Sequence, residues 1–186
     1  MTDHPTIIID TREQRPYSFS EGISILRTAL PAGDYSIAGH ETDFAVERKS
    51  VDDWVSTIIH ARERFRAECQ RLRDYDRAYI VVEASWPDLL AGLYKSKAHP
   101  DSVLAMSLAI MHQYQIPVIL AGDRPTSREI VENLCVQYAR RQESARRRAN
   151  CDLMGIGLLP VDTHEMARGA ACEGPDWDSF EKEMSE

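Results

Sequence analysis

From Gly33 to Asp53 the chain has to turn, run extended, return and enter a helix, and that succession leaves few folds open. Pro31-Ala32-Gly33 is a turn signal. Asp34 then opens a short strand, Tyr35-Ser36-Ile37, and Phe44-Ala45-Val46-Glu47-Arg48-Lys49 reads as a second strand, apolar at its start and charged at its end. Ser50-Val51-Asp52-Asp53 has the Ser-x-x-acid pattern of a helix start, with Asp a shorter partner than the usual Glu or Gln. Paired as a hairpin, the two strands can set Asp34 beside Glu47. Strand side chains alternate faces, so Glu47 and Lys49 point one way and Arg48 the other.

Two facing carboxylates repel unless a cation lies between them. Hard oxygen donors that leave room for waters and a phosphate suit Mg²⁺ or Mn²⁺. A lysine on the same face can orient or deprotonate a water and offset charge on a phosphorane-like transition state. Such a set can hydrolyse a phosphodiester. The same residues also have a plainer reading: charges at a strand end commonly form a solvated rim, and Asp53 can be a helix-capping acid.

The rest of the chain alternates strands and helices, which indicates an α/β layer. Thr6-Ile7-Ile8-Ile9-Asp10 is a β-branched run, and Ile23 to Leu30 reads as a second strand. Val55, Ile58, Ile59, Arg62, Phe65, Cys69 and Leu72 recur at helical spacing from Val51 onward, a stripe interrupted only at Arg62. Ala78 to Glu83 is a buried strand, and Trp86 to Tyr94 a loop or short helix. A helix from Pro100 is apolar nearly all round and should be buried. Ile116 to Gly122 is a last strand whose proline suggests an edge or a strand start. A long helix beginning at Thr126 carries Ile130, Val131, Leu134 and Tyr138 as its apolar stripe.

Several of these pieces, taken in order, resemble the XPF-type structure-specific endonuclease family. They are Asp10-Thr11-Arg12-Glu13, Gly33-Asp34-Tyr35, Val46-Glu47-Arg48-Lys49-Ser50 with Asp53 four residues past the lysine, Arg64-Phe65-Arg66, and Tyr79-Ile80-Val81-Val82-Glu83. The family signature is Gly-Asp, a gap, then Glu-Arg-Lys-x-x-x-Asp. The resemblance runs from about Ile7 to Glu83 and more weakly to about Tyr138. It implies a restriction-endonuclease-like α/β core, a central mixed sheet flanked by helices, acting on branched or flapped DNA with a divalent metal. On this resemblance Asp34 and Glu47 bind the metal, with Asp10 or Glu13 assisting, and the Arg48 carbonyl as a further ligand. Lys49 positions or activates the water, and Asp53 supports the lysine or a second metal. Arg12, Arg48 and Arg64 are the DNA-contacting arginines. Relatives dimerise through helices after the core, so the helix over 126–148 is a candidate homodimer interface; the alternative is that its stripe packs on its own sheet. Larger relatives add helicase or helix-hairpin-helix modules, and this sequence reads as the nuclease domain alone. Gly155-Ile156-Gly157-Leu158-Leu159-Pro160 faintly resembles a hairpin turn of that kind but has no second helix pair around it.

A net charge of −8 looks wrong for a DNA binder until it is divided. Residues 150–186 hold nine acids and two bases, leaving twenty bases against twenty-one acids in residues 1–149. The expected organisation is therefore a nuclease domain over 1–149 and an acidic, partly disordered extension over 150–186. Local basic patches, not net charge, would have to hold phosphates. Cys69, Cys135, Cys151 and Cys172 form no Cys-x-x-Cys pair, which disfavours zinc and fits free thiols. No apolar run reaches the length of a membrane span. The expected location is the cytoplasm, or association with the nucleoid or nucleus. Two other functions remain open from the residues: a DNA-binding or scaffolding subunit without catalysis, and a nuclease of duplex DNA without structure specificity. Repair or recombination is the expected setting.

Overall fold

The computed structural model describes residues 4–153. The chain divides into two compact units, 1–142 and 143–186, and the architecture below concerns the first. The acidic extension from 154 onward, with the Gly155–Pro160 patch, lies outside the described residues.

Six strands form one mixed sheet: β1 (Thr6–Asp10), β2 (Ser24–Thr28), β3 (Tyr35–Ile37), β4 (Phe44–Ser50), β5 (Arg77–Glu83) and β6 (Val118–Leu120), in the spatial order β2-β1-β3-β4-β5-β6. β1 runs parallel to β2 and antiparallel to β3; β3 and β4 form the antiparallel hairpin; β4, β5 and β6 run parallel. Five helices complete the fold: α1 (Val51–His60), α2 (Arg62–Arg73), α3 (Trp86–Leu90), α4 (Pro100–Tyr114) and α5 (Arg124–Leu153).

Strand alternation splits the core in two. On one face Ala45, Ile80 and Val82 pack with Trp54, Val55 and Ile58 of α1, Phe65, Cys69 and Leu72 of α2, and Val103 and Ile110 of α4. Trp54 is fully buried and donates its indole N–H to Ser107 Oγ at 3.1 Å, so the one polar atom of that ring is satisfied. On the other face Ile7, Ile9, Tyr35, Val46 and Val81 pack with Tyr17 and with Val131, Cys135 and Tyr138 of α5.

The hairpin depends on Gly33. Its φ is +76°, and a Cβ there would lie 3.1 Å from the Val46 carbonyl oxygen and 3.2 Å from the Ala45 Cβ. Only a residue without a side chain lets β3 enter so close to β4, where the Asp34 N–H donates to Val46 O at 2.9 Å.

Three features depart from the sequence expectations. The helix from Val51 is two helices, because Ala61 adopts φ −108°, ψ 34° between them, although the Ala61 N–H still reaches Thr57 O. No proline or glycine marks this break. α4 is one-sided: Val103, Ser107, Ile110 and Tyr114 are buried while Leu108 is 47% exposed. The strand expected from Ile23 to Leu30 is the short edge strand β2, with Ile25 and Leu26 about half exposed. The stripe on α5 is occupied within the chain. Val131 and Tyr138 are buried against the sheet, with Ile130 and Leu134 packed beside them, which is the packing alternative named for the 126–148 helix beside a homodimer interface.

Candidate active site

The hairpin delivers the acids, and strand parity sorts them. Glu47 and Lys49 fall on the face of Ala45, toward α1 and α2, and Arg48 falls on the face of Val46, toward α5. Lys49 Nζ lies 2.5 Å from Glu47 Oε1. Asp34, at the head of β3, accepts the Arg48 N–H on Oδ2 at 2.8 Å. A cavity of about 260 Å³ opens on this face and is lined by Glu47, Lys49, Asp53, Arg64 and Glu68 among others. Ala61 also lines it, so the helix break lies at the rim of the cavity.

Charge is confined here at a cost. Burial, then the neighbouring Glu47 carboxylate, push the Asp34 carboxyl up to about 8 against the opposing Arg48 N–H bond. Burial likewise raises Glu47, which Lys49 pulls back down only in part. Glu13 adds to the repulsion at both acids, and Glu68 at Glu47. Burial disfavours the Lys49 ammonium, but Glu47 more than offsets it and the amine titrates above the ordinary lysine range. Lys49 is therefore a cation in this site and not a free base.

The anticipated residues separate into two groups. Glu47, Lys49, Asp53 and Arg64 line the cavity, and Asp34 lies close enough to Glu47 for the two carboxylates to repel, with Glu13 acting on both. Asp53 also fulfils the capping role: Ser50 Oγ donates to Asp53 Oδ2 at 2.6 Å and accepts the Asp53 N–H at 3.2 Å. Glu13 is buried and accepts the Arg15 N–H at 2.5 Å.

Asp10 and Arg48 take other roles. Asp10 is 1% exposed and its two oxygens are fully engaged by the Arg12 N–H, the Arg12 guanidinium and the Leu30 N–H, which hold its carboxyl down at about 2. It pins the 10–12 turn to Leu30, just past β2, with both oxygens already accepting two hydrogen bonds each, unlike the metal-assisting role expected of it. Arg12, 69% exposed in its side chain, spends part of its guanidinium on that pair. Arg48 does not reach outward to DNA. It is buried in a bidentate pair with Glu83, at 2.9 and 2.6 Å, on the opposite face of the sheet. The parity that places Glu47 and Lys49 in the cavity requires this.

Sequence reasoning missed Glu68, which lines the cavity, accepts a long bond from the Gly33 N–H at 3.4 Å and pairs with Arg71. Its only sequence signal was its place one turn after Arg64. It also missed where the 95–99 loop sits: Lys95 donates its N–H to Asp52 at 2.9 Å and pairs with it through Nζ at 2.8 Å, fixing that loop beside the start of α1.

Among the described residues no group of three or more His, Cys, Asp or Glu side chains is gathered as a metal site. The donors present nonetheless fit a hard divalent cation. Mg²⁺ is commonly held by one or two carboxylates while waters and phosphate oxygens complete its shell. Asp34 and Glu47 are oxygen donors whose protonation is raised by confinement, and a cation between them would relieve that repulsion. Cys69 and Cys135 are free and buried, which leaves neither thiol facing the cavity as a soft ligand.

A mixed sheet whose one hairpin carries two repelling acids and a lysine, with Glu47 and Lys49 lining a cavity beside two helices, defines a class of α/β domain. Residues 9–134 match the ERCC4 domain, and the chain belongs to that family. It is similar to the 3'-flap repair endonuclease Xpf of Saccharolobus solfataricus, with 25% identity over 118 residues, covering 63% of this chain and 47% of the relative. The fold is that of XPF from Aeropyrum pernix, with a TM-score of 0.57 at 24% identity over 70% of this chain and 60% of that one. For the same protein in a complex with DNA the TM-score is 0.58 at 24% identity, over 75% and 66%. The chain spans about half the length of the curated relative. No helix among the described residues is long and apolar enough to cross a membrane.

Proposed function

We propose that this chain is a divalent-metal-dependent DNA endonuclease domain that hydrolyses phosphodiester bonds at branched, flapped or junction DNA, in repair or recombination. One observation carries the reading: Glu47 and its Lys49 ammonium, 2.5 Å apart, line an open cavity while a second confined carboxylate, Asp34, repels Glu47 from beside it. Groups shifted this strongly in a cleft are typical of functional sites. A flap-cutting relative and the likeness to a DNA-bound structure support DNA as the substrate.

Asp34 and Glu47 would hold Mg²⁺ or Mn²⁺, with Glu13 behind them. The metal supplies Lewis-acid stabilisation of phosphate charge and a more acidic bound water. Lys49 keeps Glu47 oriented through its 2.5 Å contact and presents positive charge where a phosphate oxyanion would develop. Asp53 holds the start of α1 and adds a negative charge that favours the Lys49 ammonium. Arg64 on the cavity wall and the exposed part of Arg12 are the cations placed to meet the DNA backbone.

The test is cleavage of labelled linear duplex, flap, fork and four-way junction DNA with Mg²⁺ or Mn²⁺, beside Lys49→Ala. Metal-dependent cutting of branched substrates that is lost in the variant supports the proposal. Equal cutting of every duplex keeps the chemistry and removes the structure preference. DNA binding without cutting under either metal favours a scaffolding subunit.

A further inference from the structure

Behind the cavity, on the α5 face of the sheet, one carboxylate, its side chain 11% exposed, gathers four donors. Glu83, at the end of β5, receives Arg48 Nε at 2.9 Å, Arg48 Nη2 at 2.6 Å, Arg124 Nη1 at 2.8 Å and the Tyr17 hydroxyl at 3.0 Å. Arg124 also lies over the Tyr17 ring, 4.7 Å from its centroid. None of these groups faces the cavity. Two arms run from them to the acids that do.

The first arm passes through β4. The Arg48 side chain leans forward to Glu83 on the neighbouring strand, where the register pairs Arg48 with Val81 and Ser50 with Glu83. That anchor fixes the backbone of Arg48, whose N–H is the donor to Asp34 Oδ2 at 2.8 Å. The second arm passes through α5 and the loop after β1. Arg124 Nη2 donates to Arg15 O at 2.6 Å and Pro16 O at 3.0 Å, and the Arg15 N–H donates to the Glu13 carboxylate at 2.5 Å. Tyr17 braces both arms: its ring stacks on Tyr35 at 5.3 Å, and its N–H donates to the Tyr35 hydroxyl at 3.0 Å, one residue from Asp34.

We propose that Glu83 is a positioning residue that sets Asp34 through Arg48 and Glu13 through Arg124 and Arg15, from the opposite side of the sheet. The assignment rests on the reading of Asp34 and Glu13 as acids of the site. Its physical logic is that carboxylates crowded against one another hold a fixed geometry only if their hydrogen-bond donors are fixed. Here both donors are backbone N–H groups with no rigidity of their own beyond what their neighbours impose. Outer partners of this kind commonly alter metal affinity or activity by about 10–100-fold when removed.

The test uses Glu83→Gln and Arg124→Gln in the full chain, with amide hydrogen exchange at Arg48 and Arg15, Mn²⁺ binding by calorimetry, and kcat and KM on flap DNA. A glutamine at 83 cannot accept from all four donors, because its NH₂ end would meet an Arg48 donor. Glu83→Gln is expected to accelerate exchange at both amides by about tenfold or more, weaken Mn²⁺ binding about 10–100-fold, and lower kcat with KM within about twofold. Arg124→Gln cuts one arm only. It is expected to accelerate exchange at Arg15 while leaving Arg48 within about twofold of wild type. General loosening of the fold would move both amides together, so equal acceleration in Arg124→Gln overturns the proposal. So does unchanged exchange and Mn²⁺ affinity in a folded Glu83→Gln. If Glu83→Gln does not fold, the Arg124→Gln pattern decides alone. A wild type that cuts no DNA but shows the arm-specific exchange pattern defeats the nuclease reading and leaves the positioning in place.

Discussion

Without metal, the protein should become less stable as pH rises, because the carboxyls of Asp34 and Glu47 are both raised by burial in the folded state. An Asp in the unfolded chain titrates near 3.8, while in the folded protein burial and the Glu47 carboxylate lift the Asp34 carboxyl to about 8. Between those values the native state holds a proton that the unfolded chain has released, so native stability falls as pH climbs through the window and levels off above it. Four pK units at about 1.4 kcal/mol each set an upper limit near 6 kcal/mol, and relaxation of the site should leave roughly 2–4 kcal/mol. Asparagine at 34 keeps an oxygen for the Arg48 N–H and removes the charge. For a domain of this size, Asp34→Asn in EDTA at pH 8.5 should therefore melt roughly 5–15 °C above wild type, and should match it near pH 4. The assay is thermal unfolding followed by circular dichroism from pH 4 to 9 in EDTA. Mn²⁺ at pH 8 should then raise the wild-type midpoint and leave the variant unmoved, because binding to the native state alone stabilises it. Parallel wild-type and Asp34→Asn curves across this range would refute the argument that the site confines repelling carboxylates.

Three further outcomes follow from the same geometry. Lys49→Ala should retain DNA binding within a few-fold while cleavage falls by about 10²-fold or more, measured by gel shift beside single-turnover cutting. Arg64→Ala should weaken binding uniformly across DNA sequences and reduce the slope of log K against log salt by about 1, measured by fluorescence anisotropy. Gly33→Ala should destabilise the domain by roughly 2–4 kcal/mol in urea unfolding, since the added Cβ meets a left-handed φ and the Val46 carbonyl oxygen at 3.1 Å together.

What could be read from the sequence was whatever a period of two or a turn residue decides. The hairpin, the face shared by Glu47 and Lys49, and the Ser50 cap with Asp53 are local, and each is found where the pattern put it. Strand parity also decides the fate of Arg48: a side chain opposite Glu47 cannot reach the cavity, and Arg48 pairs with Glu83 on the other face. Periodicity was weaker for the helices. The 55-to-72 stripe is continuous in sequence, yet the chain breaks at Ala61, where no residue type forbids a helix. α4 is apolar in composition on most sides, and only the sheet determines which of those sides is covered.

The roles of the charged residues were hidden for a different reason. Asp10 and Glu13 are three apart and equally acidic, but one is taken by Arg12 and the Leu30 N–H and the other, held only by the Arg15 N–H, acts on Asp34 and Glu47. Glu68 and Glu83 look alike in sequence, yet one lines the cavity and the other is sealed behind it by Arg48, Arg124 and Tyr17. A carboxylate's function follows from the donors that reach it first, and several of those donors come from far along the chain: Leu30 reaches Asp10 across 20 residues, and Arg48, Arg124 and Tyr17 reach Glu83 across 35, 41 and 66. The acid that binds a metal in such a site is the one the fold leaves under-supplied with hydrogen-bond donors. By that criterion Asp34 and Glu47 are distinguished from Asp10 and Glu83 by what surrounds them, and the Asp34→Asn melting curve measures that difference directly.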